Sequence, residues 1–335
     1  MSDTKLLSVI TTVQTPTPSM VKLVTKLNTS ASTLIVIGDK KGPCSYDLPG
    51  VDFFPLERQH GFKLTGLLPE NHYSRKNLGY LIAIEKGATC IYETDDDNAP
   101  AEGWKPRDRS ILARKIHSRR WMNVYRFFSD GLIWPRGFPL DEIANPETFV
   151  HHVDETLQEI ESPVQQGLAN GSPDVDAVWR LVLDQDIQFQ QKPSLVLLPG
   201  TWCPFNSQST WWWPVAYPLL YLPSHCSFRM TDIWRSFIAQ RCLWEIGHGV
   251  AFHAPEVDQD RNGHDLMRDF RDEVPGYINN NAIVDRLSAL KLEPGAGNVS
   301  ANLYTCYEAF VADGYIPDTE LVLVRAFLDD LDSIS

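Results

Sequence analysis

The stretch Ser74–Asn98, "SRKNLGYLIAIEKGATCIYETDDDN", decides the fold class. Its first part is predicted to be a helix, with Ser74 as the N-cap and Gly87 as the glycine that stops it. Its second part, "TCIYETD", is predicted to be a buried strand that ends in three consecutive aspartates. A helix that leads directly into a buried strand favours an α/β protein.

Two earlier segments extend this pattern. "LLSVITTV" (Leu6–Val13) and "TLIVIGD" (Thr33–Asp39) are short, β-branched apolar runs typical of buried strands, and a helical pattern lies between them. The alternation predicts a mostly parallel sheet, and in such sheets ligands bind beyond the carboxyl ends of the strands. We therefore expect the aspartates after Thr94 to lie in a ligand-binding crevice.

The bulk composition bounds the class of protein. With 335 residues, 43% hydrophobic, the chain can bury a large core, and we place a core domain at 1–265 and a helical, acidic extension at 266–335. The net charge of −13 argues against a nucleic-acid partner. The N-terminus lacks signal-peptide features, no run is long enough for a transmembrane helix, and the six cysteines are scattered, so a cytoplasmic location is expected.

The aspartates suggest a metal site. On an extended segment alternate residues point the same way, so Asp95 and Asp97 can face one cation. Mg²⁺ and Mn²⁺ prefer oxygen ligands and are commonly held by one or two carboxylates together with substrate phosphates. Asp96 is expected to point away from the cation and to contact the nucleotide-sugar. The alternative interpretation is a solvated acidic loop.

Other polar residues are candidates for a binding site, and each has a structural alternative. Arg75 and Lys76 lie at a helix N-terminus, which attracts anions, although they could be solvated surface cations. Asp232 precedes a helix that carries Arg235, and it could be a general base or only an N-cap. Three further residues lie in aromatic-rich loops suited to sugar or base stacking, or to an ordinary core edge: Arg136, Asn206 and Gln208. His253 and His264 are possible metal or phosphate contacts.

Several stretches together resemble the STELLO-type glycosyltransferase family and, more distantly, the reversibly glycosylated polypeptides and UDP-arabinopyranose mutases. They are "SVITTVQTPTPSM", "LPENHYSRKNLGYLIAIEKGATCIYETDDDN", "LIWPRGFPL", "SPDVDAVWRL", "PFNSQSTWWW", "LLYLPSHCSFRMTDIWRSFIAQRCLWEIG" and "FHAPEVDQDRNGHDLMRDF". The resemblance covers about residues 5–280. It implies a GT-A-like, Rossmann-like fold, with a mixed, mostly parallel sheet flanked by helices.

The resemblance also implies roles for individual residues. Nucleotide contacts are expected from Thr11, Thr12 and Asp39, diphosphate contacts from Arg75 and Lys76, metal ligation from Asp95 and Asp97, and base catalysis from Asp232. The other predicted contacts with the nucleotide-sugar do not rest on the resemblance. They are Asp95, in addition to its metal role, Asp96, Arg136, Asn206, Gln208, Arg235 and His264, with His253 as a further metal ligand.

The leading hypothesis is a Mn²⁺- or Mg²⁺-dependent glycosyltransferase. It would move a sugar from a UDP- or GDP-sugar to a hydroxyl of a saccharide or polysaccharide acceptor, with inversion and with Asp232 as base. Two alternatives stay open: a non-catalytic subunit that binds a nucleotide-sugar, and a nucleotide-sugar mutase.

Overall fold

The structure, a computed structural model, describes residues 5–118, 120–148, 154–259, 263 and 265–334. The predicted residue His264 lies outside the described residues.

The N-terminal part of the fold is a parallel βαβ arrangement. Its elements are β1 (Leu6–Thr11), α1 (Pro18–Asn28), β2 (Thr33–Ile37), β3 (Val51–Phe54), α2 (Lys76–Glu85) and β4 (Cys90–Thr94). Strand β1 pairs in parallel with both β2 and β4, and β2 pairs in parallel with β3. Their carboxyl ends therefore meet at one edge of the sheet, as the apolar runs predicted.

Gly79 allows helix α2 to pack closely on this sheet. A Cβ atom at Gly79 would come within 2.5 Å of Val9 Cγ1 and 2.9 Å of Ile37 Cγ1. Without a side chain at this position the helix can pack directly on β1 and β2. This close approach brings the first residues of α2 under the acidic loop that follows β4.

The remaining described strands extend the same sheet. They are β5 (Asn98–Pro100), β6 (Ser110–Ile116), β7 (Gln158–Glu161), β8 (Val164–Asn170), β9 (Ser194–Leu197), β10 (Ser209–Trp212) and β11 (Ala251–Gln259). In the described part of the chain the strand order is β3-β2-β1-β4-β10-β8-β11-β9-β6-β7, and β5 pairs with β11. Seven of these eleven strands, β1–β4, β7, β8 and β11, run in one direction, and β5, β6, β9 and β10 run in the other.

Helices flank the sheet and continue to the C-terminus. The other α-helices described are α3 (Val124–Phe128), α4 (Ala177–Val182), α5 (Thr231–Trp244), α6 (Leu266–Ala289), α7 (Val299–Ala312) and α8 (Thr319–Ile334). The predicted α/β class, the mixed, mostly parallel sheet and the C-terminal helices are thereby confirmed, in an arrangement consistent with a GT-A-like fold.

The C-terminal helices share a core with the sheet. Leu287 of α6, Leu303 of α7 and Phe327 of α8 are buried in the same hydrophobic cluster as Val9 of β1. Asp265 is the N-cap of α6, and its side chain accepts hydrogen bonds from the backbone N–H groups of the first turn. No helix within the described residues has the length and apolar composition needed to cross a bilayer.

Candidate functional site

A cavity of about 410 Å³ lies at the carboxyl ends of β1, β2 and β4. Eight of the residues predicted from the sequence line it: Thr11, Thr12, Asp39, Asp95, Asp96, Asp97, Arg136 and Asp232. They come from five separate parts of the chain, and the fold brings them together. The crevice expected at this edge of the sheet is therefore present.

The outer two aspartates present oxygens to this cavity. Asp95 Oδ1 accepts hydrogen bonds from the Tyr73 hydroxyl at 2.8 Å and from Lys76 Nζ at 2.9 Å. Asp97 Oδ2 accepts one from Gln259 Nε2 at 3.1 Å. Among the described residues no side chain binds the second oxygen of either carboxylate, so each has one oxygen free for a ligand.

The middle aspartate is held differently. The Thr12 hydroxyl donates to Asp96 Oδ2, and the Thr17 hydroxyl donates to the Asp96 carbonyl oxygen. These two bonds tie the acidic loop to the loop after β1, which fixes the direction of its neighbours. Asp96 thus points toward the β1 side of the cavity.

Burial raises the pKa of all three carboxyl groups. Burial, reinforced by the charges of Asp95 and Asp96, raises the pKa of Asp97 to about 7. Burial also raises the pKa of Asp95 and of Asp96, although hydrogen bonds and Lys76 oppose it. The loop is therefore a partly dry concentration of negative charge, which a cation would stabilise.

A buried chain of alternating charges supports this loop from below. Lys76 Nζ lies 2.9 Å from Asp95 Oδ1 and 3.8 Å from Glu93 Oε1, and Glu93 Oε1 in turn lies 2.8 Å from Arg235 Nη1. The side chains of Lys76, Glu93 and Arg235 are at most 1% exposed. Lys76 therefore acts as the permanent counter-ion of Asp95.

Three predicted cationic contacts do not face the cavity. Lys76 is used by Asp95, Arg235 is used by Glu93, and Arg75 donates to Gln59 Oε1 at 2.9 Å. Each side chain is buried beneath the site, and none of the three lines the cavity. The geometry corrects the expectation that Arg75 and Lys76 meet a diphosphate and that Arg235 contacts the nucleotide-sugar. It also excludes the alternative that Arg75 and Lys76 are solvated surface cations.

Asp232 lies on the opposite side of the cavity in a second buried ion cluster. Arg136 donates to both Asp232 oxygens, at 3.0 and 2.9 Å, and to both oxygens of Asp174, at 2.7 and 2.8 Å. Burial opposes ionisation of Asp232, but the Arg136 guanidinium outweighs it and lowers the pKa of Asp232. Helix α5 begins at Thr231 with Met230 as its N-cap, so the N-cap alternative for Asp232 is wrong.

Two hydroxyl groups connect the carboxylates on the two sides. The Tyr73 hydroxyl donates to Asp95 and lies 2.5 Å from Ser207 Oγ, and Ser207 Oγ lies 3.3 Å from Asp232 Oδ2. The Ser207 backbone N–H also lies 3.3 Å from the same Asp232 oxygen. The site is therefore a single hydrogen-bonded unit and not two unrelated acidic groups.

Three other predicted residues are placed away from the cavity lining. His253 contacts Ser194 Oγ at 2.6 Å and Gln165 Oε1 at 3.0 Å beside a different cavity of about 600 Å³. Burial lowers the pKa of His253 well below its usual value. Its ring is thus a neutral, satisfied part of the sheet, and its prediction as a ligand of the same metal as Asp95 and Asp97 is corrected.

The two predicted amides act behind the lining. Asn206 Oδ1 accepts from Gln166 Nε2, and Gln208 Nε2 donates to Gln259 Oε1 at 2.8 Å. Since Gln259 Nε2 holds Asp97, Gln208 fixes the amide that positions this aspartate. Both side chains are buried, which places them among supporting residues and corrects the expectation of direct sugar or base contacts.

Sequence reasoning missed several residues that line the cavity: Lys41, Asn71, His72, Tyr73, Ser207, Phe228, Arg229 and Gln259. Position relative to the predicted elements would have indicated some of them. Lys41 follows Asp39 by two residues in the loop after β2, and Phe228 and Arg229 directly precede α5. No sequence pattern would have indicated Gln259, because its position beside the cavity depends on the pairing of β11 with β5.

The comparisons with known proteins support a glycosyltransferase family. Residues 229–335 match the model of the STELLO glycosyltransferases, which confirms the resemblance predicted from the sequence. The chain is similar to two Arabidopsis thaliana proteins, "Probable glycosyltransferase STELLO1" and "Probable glycosyltransferase STELLO2". Identity is 29% over 89% of this chain for the first and 31% over 76% for the second.

These alignments cover only part of the relatives. The chain spans 41% of the length of the first relative and 36% of the second. A solved structure described as "Crystal Structure of a Mycobacterial Protein" aligns with 94% of this chain and 76% of its own, at 9% identity and a TM-score of 0.38. A likeness at that score supports no conclusion about fold or function.

Proposed function

We propose that the protein is a metal-dependent glycosyltransferase. It would move a sugar from a UDP- or GDP-sugar to a hydroxyl group of a saccharide acceptor. The observation that carries this proposal is the cavity that Asp95, Asp97 and Asp232 line together, in which the Tyr73 and Ser207 hydroxyls link Asp95 to Asp232. The names of the two plant relatives support the same reaction class.

The donor set fits a divalent cation. Within the described residues no group of three or more His, Cys, Asp or Glu side chains is arranged as a complete metal site. Counting side-chain partners among the described residues only, Asp95 and Asp97 nevertheless each keep one carboxylate oxygen without a hydrogen bond. Mg²⁺ or Mn²⁺ is commonly held by two carboxylates and the phosphates of its substrate. Such a cation would neutralise the charge of the departing diphosphate.

Asp97→Asn tests the metal assignment. We expect the variant to bind UDP in the presence of Mn²⁺ at least about tenfold more weakly than the wild type, because a neutral amide is a poorer ligand than a carboxylate. Calorimetry with and without Mn²⁺ measures this difference. UDP binding without metal should change little.

Asp258→Asn is the matched control. Asp258 is exposed on β11, next to Gln259, and its side chain points to the opposite face of the strand. The same charge is removed, but not from the cavity. If Asp97→Asn binds UDP and Mn²⁺ as tightly as this control, the metal assignment is wrong.

The sequence predicted that Arg75 and Lys76 contact the diphosphate, but a different basic side chain is available for this contact. Lys41 lines the cavity from the loop after β2, and in the described part of the chain no carboxylate pairs with its ammonium group. Arg136 and Arg229 also line the cavity, but Arg136 holds two aspartates and Arg229 pairs with Glu273 at 2.8 Å. We therefore assign the diphosphate contact to Lys41.

Lys41→Met is expected to weaken UDP binding by roughly 10- to 100-fold, the loss of one hydrogen-bonded charge pair. Uridine, which has no phosphate, should bind the variant as it binds the wild type. Lys40→Met is the control, because Lys40 is exposed and pairs with Glu70 at 2.8 Å. Equal losses in the two variants would mean that only net charge matters.

Asp232 would act on the acceptor. The acceptor hydroxyl oxygen forms a bond to the anomeric carbon while the bond from that carbon to the diphosphate breaks, and the hydroxyl proton passes to an Asp232 carboxylate oxygen. Attack opposite to the leaving group inverts the configuration. Arg136 keeps Asp232 ionised and fixes its orientation.

The bidentate Arg136–Asp232 pair also favours one alternative. A carboxylate that accepts hydrogen bonds from a guanidinium on both oxygens is a weak base, and a subunit that only binds a nucleotide-sugar needs no base. Intact UDP binding with neither transfer nor donor hydrolysis would favour this second function. Isomerised nucleotide-sugar without any acceptor would instead identify a mutase.

A further inference from the structure

Phe228 is exposed at the mouth of the cavity. The residue lines the cavity and is 56% exposed, whereas Met230, two positions later, is 1% exposed. A phenylalanine side chain in water forgoes the free energy that burial would provide. An exposed aromatic ring beside a polar cavity therefore suggests a ligand with an apolar face.

Two neighbouring rings hold Phe228 in place. Its ring centroid lies 6.5 Å from that of His72 and 6.0 Å from that of Tyr73, and both contacts are edge-to-face. Such contacts restrict the movement of the ring. Tyr73 is itself fixed by its hydrogen bond to Asp95, so the position of Phe228 is coupled to the acidic loop.

The groups around Phe228 match the chemistry of a sugar. Arg229, Asp232 and His72 line the same cavity and can bond to hydroxyl groups. A pyranose has an apolar C–H face and a rim of hydroxyls, so it can stack on Phe228 while its rim meets these side chains. We infer that Phe228 is the stacking surface for a sugar ring of the acceptor, a role that rests on the proposed transferase function.

The place of Phe228 in the chain selects the acceptor over the donor. The short segment Phe228–Met230 leads directly into α5, whose second residue is Asp232. A ring stacked on Phe228 would present its hydroxyls to the carboxylate that is proposed to accept the acceptor proton. The nucleotide is expected at Thr11, Thr12 and Asp39 instead.

Binding of simple glycosides tests this inference without knowledge of the natural acceptor. The probes are methyl β-D-glucopyranoside, methyl β-D-galactopyranoside and methyl β-D-xylopyranoside, observed by saturation-transfer NMR with and without UDP and Mg²⁺. We expect at least one of them to bind the wild type and to bind Phe228→Ala about tenfold more weakly, from the apolar area that the ring would cover. Phe228→Trp should restore binding, and UDP affinity should be unchanged in both variants.

Ile278→Ala serves as the control, since Ile278 is 71% exposed on α6 and does not line the cavity. The inference is overturned if Phe228→Ala binds the glycosides like this control, or if the wild type binds none of the three. Two other results would also overturn it. A loss of UDP affinity in Phe228→Ala would show that the ring stacks on the nucleobase. If Phe228→Ala lost affinity for a UDP-sugar but kept its affinity for UDP, the ring would hold the donor sugar. A wild type that binds glycosides but not UDP would contradict the proposed function and leave the stacking role standing.

Discussion

Asp232→Asn is expected to lower the rate of sugar transfer by about 10²- to 10⁴-fold, the usual contribution of a positioned general base. Asparagine has nearly the same shape but cannot take up the acceptor proton. Binding of UDP and the cation depends on the other side of the cavity and should persist. The measurement is kcat for transfer, together with calorimetry of UDP in the presence of Mn²⁺.

Asp174→Asn is the matched control for this variant. Asp174 is as buried as Asp232, 8% exposed in both side chains, and Arg136 donates to both oxygens of each. Asp174→Asn therefore removes one of the two ion pairs of Arg136, as Asp232→Asn does, but Asp174 does not line the cavity. If both variants lose transfer equally, Asp232 acts only by positioning Arg136, and its role as base is wrong.

The lowered pKa of Asp232 predicts how kcat depends on pH. Burial opposes ionisation, but Arg136 outweighs it and lowers the pKa below the ordinary carboxyl range. A base must be deprotonated, so kcat should stay level as the pH falls and decline only below that range. Such a weak base can still work, because the hydroxyl proton becomes acidic as its oxygen bonds to the anomeric carbon.

The acidic part of the site could be predicted from the sequence because it depends on local pattern. Buried runs of apolar residues mark the strands, and parallel strands place their carboxyl ends at one edge. Asp39, Asp95 and Asp97 each lie one to three residues after the end of such a strand. Their presence in one cavity therefore follows from the α/β pattern alone.

The cationic part could not be predicted in this way. Whether a lysine or arginine is free depends on partners that are distant in sequence, such as Glu93 for Arg235 and Gln59 for Arg75. A cation near the start of a helix looks available in the sequence whether or not a buried carboxylate already holds it. Lys41 was missed for the converse reason, since a loop carries no periodicity that would set its direction.

Glu93→Ala should be the most destabilising substitution considered. Glu93 is fully buried and accepts hydrogen bonds from Arg235 and Trp212 Nε1, and the Tyr80 hydroxyl donates to it as well. Removing the Glu93 carboxylate leaves the Arg235 guanidinium buried without its ion-pair partner. It also removes one of the two negative charges that hold Lys76 beneath Asp95. Breaking a buried ion pair from one side costs about 3–5 kcal/mol. Urea unfolding followed by circular dichroism measures the loss in the free energy of unfolding.

Glu161→Ala is the control that removes a glutamate ion pair from an exposed position. Glu161 is 56% exposed and pairs with Arg109 at 3.1 Å at the end of β7, where water screens the charges, so its removal should cost less than about 1 kcal/mol. Glu93→Gln serves if the alanine variant does not fold, because the amide keeps the shape and removes only the charge, and it should lie between the wild type and Glu93→Ala. Equal free energies of unfolding for Glu93→Gln and the wild type would mean that hydrogen bonding, and not charge, secures the chain from Arg235 to Asp95.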